Sequence, residues 1–208
     1  MPLDLRALLT PERTALVLFE CQEGIVGALA GDTPLVDAVR RHRTLEHAAV
    51  VLAAARRAGV PVVHSLAGRR EDGAGAAVNC LLLAAGRKSG RPPLVPGSPQ
   101  QAPVAPLAPR EGEWVLTRFH GVTPFHGTEL DQLLRNQGAR TIVLAGVSLN
   151  VGILGATVEA VNAGYQVVIP REATAGTPDD YVEAVLSHTL RLLATIAPVA
   201  DVEAAWPT

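Results

Sequence analysis

Short runs of apolar, strand-forming residues recur along this chain with helix-patterned segments between them. That alternation restricts the fold more than any single motif does. Six runs qualify: Ala15 to Phe19, Val60 to His64, Trp114 to Thr117, Thr141 to Ala145, Gln166 to Ile169 and Ala194 to Ala197. Most are continuously apolar, the pattern of strands covered on both faces of a parallel sheet. The segments between them carry helix signals. Leu45 to Ala58 stops at Gly59, and Thr128 to Asn136 opens on a capped, acidic first turn and stops at Gly138. Val151 to Asn162 follows Asn150, a natural N-cap, and stops at Gly164, while Asp179 to Leu193 is the last long helix. The order predicts a single α/β domain over residues 1–208, three-layered and doubly wound on a mainly parallel six-stranded sheet.

Two segments break the alternation. Ala67 to Ser89 carries Arg69, Arg70, Asp72, Asn79 and Lys88, and it closes on a helix ending in Arg87-Lys88. It reads either as a lid or as a solvated surface segment. Gly90 to Pro109 is rich in Pro and Gly and reads as a lid, an oligomer arm or a mobile loop. The arginines fall in short groups separated by apolar residues and the net charge is −2, which argues against a nucleic-acid surface. No apolar run is long enough to span a membrane. The N-terminus lacks a basic region followed by an apolar run. Cys21 and Cys80 form no metal-type pair; both read as buried structural thiols, in keeping with a cytoplasmic protein.

Parallel sheets bind ligands at the carboxyl ends of their strands. Those ends supply Glu20-Cys21-Gln22, His64-Ser65, Thr117-Arg118-Phe119-His120 and the turn from Gly146 to Gly152. If the early strands are central, Glu20, Arg118 and the Gly152 turn converge. A carboxyl, a guanidinium and helix N-terminal amides suit an anionic or carbonyl-bearing small molecule. Gly152 lies where a helix N-terminus would activate a thiol, and it offers none. Strand alternation turns Cys21 away from Glu20. His64 lacks neighbouring ligands, so no metal is expected there, and no cofactor is expected elsewhere.

Three segments resemble the isochorismatase-like (cysteine hydrolase) superfamily. Ala15 to Gln22 is similar to its first-strand motif, which ends in Asp, an apolar residue and Gln. Phe125-His126-Gly127-Thr128-Glu129-Leu130 resembles its aromatic-x-Gly-Thr-x-Leu segment, and Gly146 to Gly152 with Thr157, Ala160 and Gly164 to Val168 resembles its fourth-strand turn and following helix. The resemblance runs from about Ala15 to Ala197 and implies an Asp–Lys–Cys triad, from which this chain departs throughout. Glu20 stands at the Asp position, Arg118 in the Lys region and Gly152 at the Cys position.

Gly152 excludes thiolate attack on an amide. Isochorismatases also carry Gly there, and the chemistry they imply is vinyl-ether hydrolysis by an acidic residue. On this reading Glu20 is the general acid and Arg118 an orienting group or anion clamp. Gln22, Phe119, His120, Phe125, Ser148, Leu149, Asn150 and Gly152 form the binding surface. His126 caps the Thr128 helix or lies near the site. The resemblance further implies a strained or cis peptide near Val147-Ser148 and a homo-oligomer, a dimer or tetramer. The alternative is a binding protein that keeps the scaffold without turnover.

Overall fold

In the computed structural model, which describes residues 4–206, the sheet has seven strands. They are β1 (Thr14–Phe19), β2 (Val62–Ala67), β3 (Trp114–Arg118), β4 (Thr141–Val147), β5 (Gln166–Pro170), β6 (Thr174–Ala175) and β7 (Thr195–Ala197). Their order is β3-β2-β1-β4-β5-β7, with β6 beside β4, and every pair is parallel. The sheet therefore has one strand more than the six expected. β6 is two residues long, too short to leave a periodicity in sequence, and it exists because Thr174 and Ala175 lie beside Gly146 and Val147.

The helices are α1 (Leu5–Leu8), α2 (Pro34–Arg41), α3 (Thr44–Arg57), α4 (Leu81–Lys88), α5 (Leu130–Asn136), α6 (Leu154–Asn162), α7 (Asp179–Ala184), α8 (Arg191–Leu193) and α9 (Val199–Ala205). The long terminal helix expected over Asp179 to Leu193 is α7 and α8 joined by a π-helical stretch, Val185–Leu190. Among the described residues no helix is long and apolar enough to cross a membrane.

Alternation along β1 divides the core. Leu16 and Leu18 pack with Val51, Leu52 and Ala55 of α3 and with Val202 and Trp206 near α9. Ala15, Val17 and Phe19 face the other way, onto Leu130 and Leu134 of α5 and Ala156 and Ala160 of α6. Each large apolar side chain so buried contributes about 2 kcal/mol. Strand order reverses direction between β1 and β4. Their carboxyl ends thus open onto a topological switch point, where α/β sheets hold ligands. Gly146 allows the two strands to come this close. It pairs with Phe19 at φ 119°, and a Cβ there would run into the Phe19 carbonyl oxygen.

Three sequence expectations are corrected. The Pro-rich segment is a strap bonded to the chain just past β1 and not a mobile loop. Glu23 N donates to Ala102 O at 2.8 Å, Val104 N donates to Cys21 O at 3.0 Å, and Val104 and Leu107 are buried in the core. Proline suits such a strap because it lacks an N–H that would need a partner. Cys80 is exposed and not buried, since α4, which it precedes, has no buried residue. β3 is an edge strand with Trp114 and Val115 exposed, so its apolar run marks an edge and not a doubly covered strand.

Candidate active site

β1 ends at Phe19, and the next residue, Glu20, takes a left-handed backbone at φ 53°. A non-glycine residue there is uncommon and carries a modest conformational cost. The twist lifts Glu20 out of the sheet while its N–H still donates to Ser65 O at 2.9 Å. Its carboxylate meets Arg118, the last residue of β3, whose side chain is 6% exposed. One Arg118 amino group donates to Glu20 Oε1 and the other to Gly121 O. The guanidinium lies over the Phe19 ring, 5.7 Å from its centroid. Its Nε is buried without a hydrogen-bond partner among the described residues. Burial pushes the Glu20 carboxyl above its ordinary value, and the Arg118 charge and hydrogen bond offset only part of that rise.

Both residues line a cleft of about 640 Å³ at the carboxyl end of the sheet, together with Ser148, Val151 and Gly152. The Val147–Ser148 peptide is cis, as the family resemblance implied. Ser148 is extended, and its carbonyl accepts from Val151 N at 3.3 Å and Ile153 N at 3.1 Å. The chain then makes one π-helical turn, Leu149–Ile153, before α6. Single π-turns of this kind recur at functional sites. Asn150 is not the N-cap expected: its Nδ2 donates to Thr177 O at 3.2 Å, and its Oδ1 is buried without a partner among the described residues. The Phe19 ring occupies the space that any side chain at 152 would need. The missing side chain at Gly152 and the bulk at Phe19 are therefore one packing decision.

The cleft thus brings Glu20, Arg118, Ser148 and Gly152 together and leaves the other expected residues elsewhere. Gln22 is fully buried. Its amide donates to Ala67 O at 2.9 Å and Gln101 O at 3.1 Å and accepts from Ala67 N at 2.7 Å, so it ties β1, β2 and the strap together. Leu149 belongs to the core, and Phe125 faces Tyr165 with ring centroids 6.2 Å apart. Phe119 and His120 line a small recess beside Arg118. The His120 and His126 rings stand edge to face at 6.3 Å, both residues exposed. The first turn of α5 is capped by Thr128, whose Oγ1 accepts from Leu130 N at 3.2 Å, and not by His126. His64 is buried with its Nε2 2.9 Å from Glu113, and burial draws its basicity down. Cys21 is buried as expected; burial, with the Glu20 charge adding, pushes its thiol up to about 12.

Sequence reasoning missed much of the cleft wall. Thr33 ahead of α2 and Pro34 and Leu35 of its first turn line it, as do Leu82, Leu83 and Arg87 of α4 and Arg91 to Leu94 of the strap. The only signal was that the 67–109 segments did not fit the strand–helix alternation. Arg69, Arg70 and Asp72 do line the cleft, which places the 67–89 segment over it as a wall.

The family model for the isochorismatase domain matches residues 14–203. An uncharacterized isochorismatase family protein of Escherichia coli O157:H7 is 27% identical over 194 residues, 93% of this chain and 96% of its own. Among solved structures, an isochorismatase family protein from Burkholderia thailandensis is 28% identical with a TM-score of 0.76, covering 95% of this chain and 97% of that one. N-carbamoylsarcosine amidase from Thermoplasma acidophilum is 25% identical with a TM-score of 0.70, covering 90% and 96%. With nearly the whole chain matched and the same doubly wound sheet beneath it, this chain belongs to the isochorismatase family of hydrolases.

Proposed function

We propose that this chain hydrolyses a small anionic metabolite by acid catalysis from Glu20, with no covalent intermediate. The observation that carries the reading is an open cleft in which Glu20 and the bare Gly152 share one wall. A nucleophile at 152 has no room beside Phe19, whereas Glu20 lines the cavity. Burial holds that carboxyl above its ordinary value, which favours a protonated acid nearer neutral pH. An anionic substrate seated beside it raises the value further by like-charge repulsion.

The chemistry that fits is hydrolysis of a vinyl ether. Glu20 gives its proton to the terminal alkene carbon, and the electron pair of the C=C bond forms the new C–H bond. The ether oxygen stabilises the resulting cation until water adds to the adjacent carbon. The hemiketal then collapses: its C–O bond breaks, the carbonyl forms and the alcohol leaves. Of the two protons that water brought, one returns to Glu20 as water adds, and the hemiketal hydroxyl proton ends on the ether oxygen of the departing alcohol. Arg118 is not free to act as a base, and its contact with Glu20 fixes the direction of the carboxyl. We place Ser148 and the π-turn beside Glu20, against the reacting end of the substrate.

Glu20→Gln tests the reading, because glutamine still accepts from Arg118 but carries no transferable proton. With a carboxylated vinyl ether as substrate and carbonyl release as the readout, kcat should drop about a thousand-fold. Product binding, followed by calorimetry, should change little. Retained turnover in Glu20→Gln overturns the acid role. Absence of turnover in the parent, with tight ligand binding, favours the pure binding protein.

A further inference from the structure

We infer that the rim of the cleft is an anion subsite built from Arg69, Arg87 and Arg91, which selects substrates carrying a doubly charged head remote from the bond that breaks. The inference rests on the cleft being the hydrolytic site proposed above.

Five arginines and three carboxylates line the cleft. Arg118 is spent on Glu20 and on the Gly121 carbonyl. Arg70 is spent on Asp72, 2.6 Å away. Arg69, Arg87 and Arg91 remain, and none of them has a carboxylate within ion-pair distance among the described residues. Glu71 is the only other acid on the lining. Three unpaired guanidinium groups around one concave surface focus a positive potential into it.

Specific contacts assemble the three from separate pieces of chain. Arg69 follows β2, and its N–H donates to Leu94 O at 2.9 Å, which binds the start of the 67–89 segment to the stretch of strap carrying Arg91. Its guanidinium lies against Gly86 of α4, where a Cβ would sit 3.1 Å from Nη2. That seat is next to Arg87 in sequence. The end of α4 favours a cation there for its own reasons, since helix C-termini attract positive charge. It does not explain why two more arginines from other segments join it.

The size of the cleft fits the same conclusion. About 640 Å³ lies in the middle of the range for drug-sized ligands and exceeds what a simple amide or a lone vinyl ether fills. The reacting end belongs at Glu20 and Gly152, and the arginines line the same cleft. Guanidinium groups bind carboxylates and phosphates with paired hydrogen bonds, so the head is either a phosphate monoester or a pair of carboxylates.

Two probes separate those sources. Titration of the intact protein at low ionic strength with inorganic pyrophosphate and, separately, with glutarate should give saturable binding by at least one of them. Pyrophosphate alone identifies a phosphate-type head, and glutarate alone or both identifies recognition of two charges at carboxylate spacing. Arg69→Gln/Arg87→Gln should weaken the bound probe by about ten-fold or more. Arg91→Gln alone should weaken it by a smaller factor, and Arg171→Gln, on the surface pair with Glu183, should leave it unchanged. Saturation by neither probe, or equal affinity in the double variant, overturns the subsite. Glu20→Gln should bind the probe as the parent does. Lost turnover with retained probe affinity therefore tests the acid and the subsite independently.

Discussion

Two carboxylate–guanidinium pairs bracket β3, one just before its first residue and one at its last, and they are built in opposite ways. Glu113 accepts from Arg56 Nε at 2.6 Å, Arg56 Nη2 at 2.9 Å, His64 Nε2 at 2.9 Å and the Arg110 backbone N–H at 2.9 Å. Among the described residues the Glu20 carboxylate accepts from Arg118 alone. Burial would raise the Glu113 carboxyl, yet the hydrogen bonds from Arg56, Arg110 and His64 outweigh it and hold the group at about 2. Burial wins at Glu20, which is pushed above its ordinary value. The balance of donors against desolvation, and not the presence of an arginine, decides which carboxyl stays charged. A saturated pair is a structural clamp. An under-saturated pair lining a cleft is suited to hold a proton for transfer, the role proposed for Glu20.

The widest separation should come from removing the charge at each pair in turn. Glu20→Gln is expected to lower kcat about a thousand-fold, equivalent to about 4 kcal/mol in the barrier, with only a small change in the urea midpoint. Glu113→Ala should do the reverse. It leaves Arg56 and His64 without their partner and should cost about 3 kcal/mol of stability, while kcat per folded molecule stays within about two-fold. Denaturation curves and steady-state kinetics on the same preparations check both. Loss of turnover in Glu113→Ala at full folding would erase the distinction drawn between the pairs.

The pH dependence of stability sharpens it. Glu113 has a folded value of about 2 against an ordinary 4.5, so its contribution is complete above 4.5 and is lost as pH falls toward 2. Glu20 is raised on folding. Its contribution is present below 4.5 and is lost as pH rises through the folded value. Glu113→Gln should therefore flatten the acid limb of the stability profile. Glu20→Gln should gain on the parent as pH increases. Urea midpoints taken from about pH 3 to 8 would show two opposite slopes, and parallel slopes would contradict that balance of donors against desolvation.

The contrast also shows what a sequence carries. Glu20, Arg118 and Gly152 were legible together because each follows a recognisable apolar run, and strand order then brings strand ends to one edge. The Glu113 clamp was not legible. Arg56, His64 and Glu113 come from a helix, a strand and a loop, and no spacing announces that packing places them together. β6 was invisible because two residues cannot show a period. The Pro-rich strap was misread because its place is set by pairing with residues 21–23, a long-range contact that composition does not record. Gln22 looked like a ligand-facing polar residue after a strand, but both ends of its amide are taken by backbone. The cleft wall was missed for the same reason: α4 and the strap become a wall only when folded back over the switch point.

A smaller effect separates the cleft from the core beneath it. Gly152→Ala places a methyl group against the Phe19 ring, whose Cδ1 and Cζ would lie 3.0 and 3.2 Å from it. Overpacking at a buried aromatic costs about 1–3 kcal/mol. Because Phe19 supports the Arg118 guanidinium, the displacement should also lower kcat by turning the Glu20 carboxyl. Phe19→Leu in the same chain should recover most of the stability, since the ring edge that collides is gone, but not the kcat, since Arg118 then loses its platform. A double-mutant cycle on both readouts measures that division. Independent, additive losses would mean that Phe19 and Gly152 are not one packing unit.

The smallest expected effect concerns the two thiols, and it tests whether the cleft depends on sulfur at all. Cys21 follows Glu20 directly, yet its Sγ points back to the Phe19 carbonyl at 3.6 Å. With its value pushed up to about 12 from 9.0, its thiolate fraction falls on the order of a thousand-fold, and burial slows access further. Cys80 is exposed ahead of α4. Iodoacetamide on the native protein should therefore modify Cys80 alone, seen as one mass addition on the peptide that contains it, with kcat unchanged. Modification of Cys21 in the folded state, with activity lost in step, would make sulfur part of the chemistry and leave the under-saturated Glu20 pair without its assigned role.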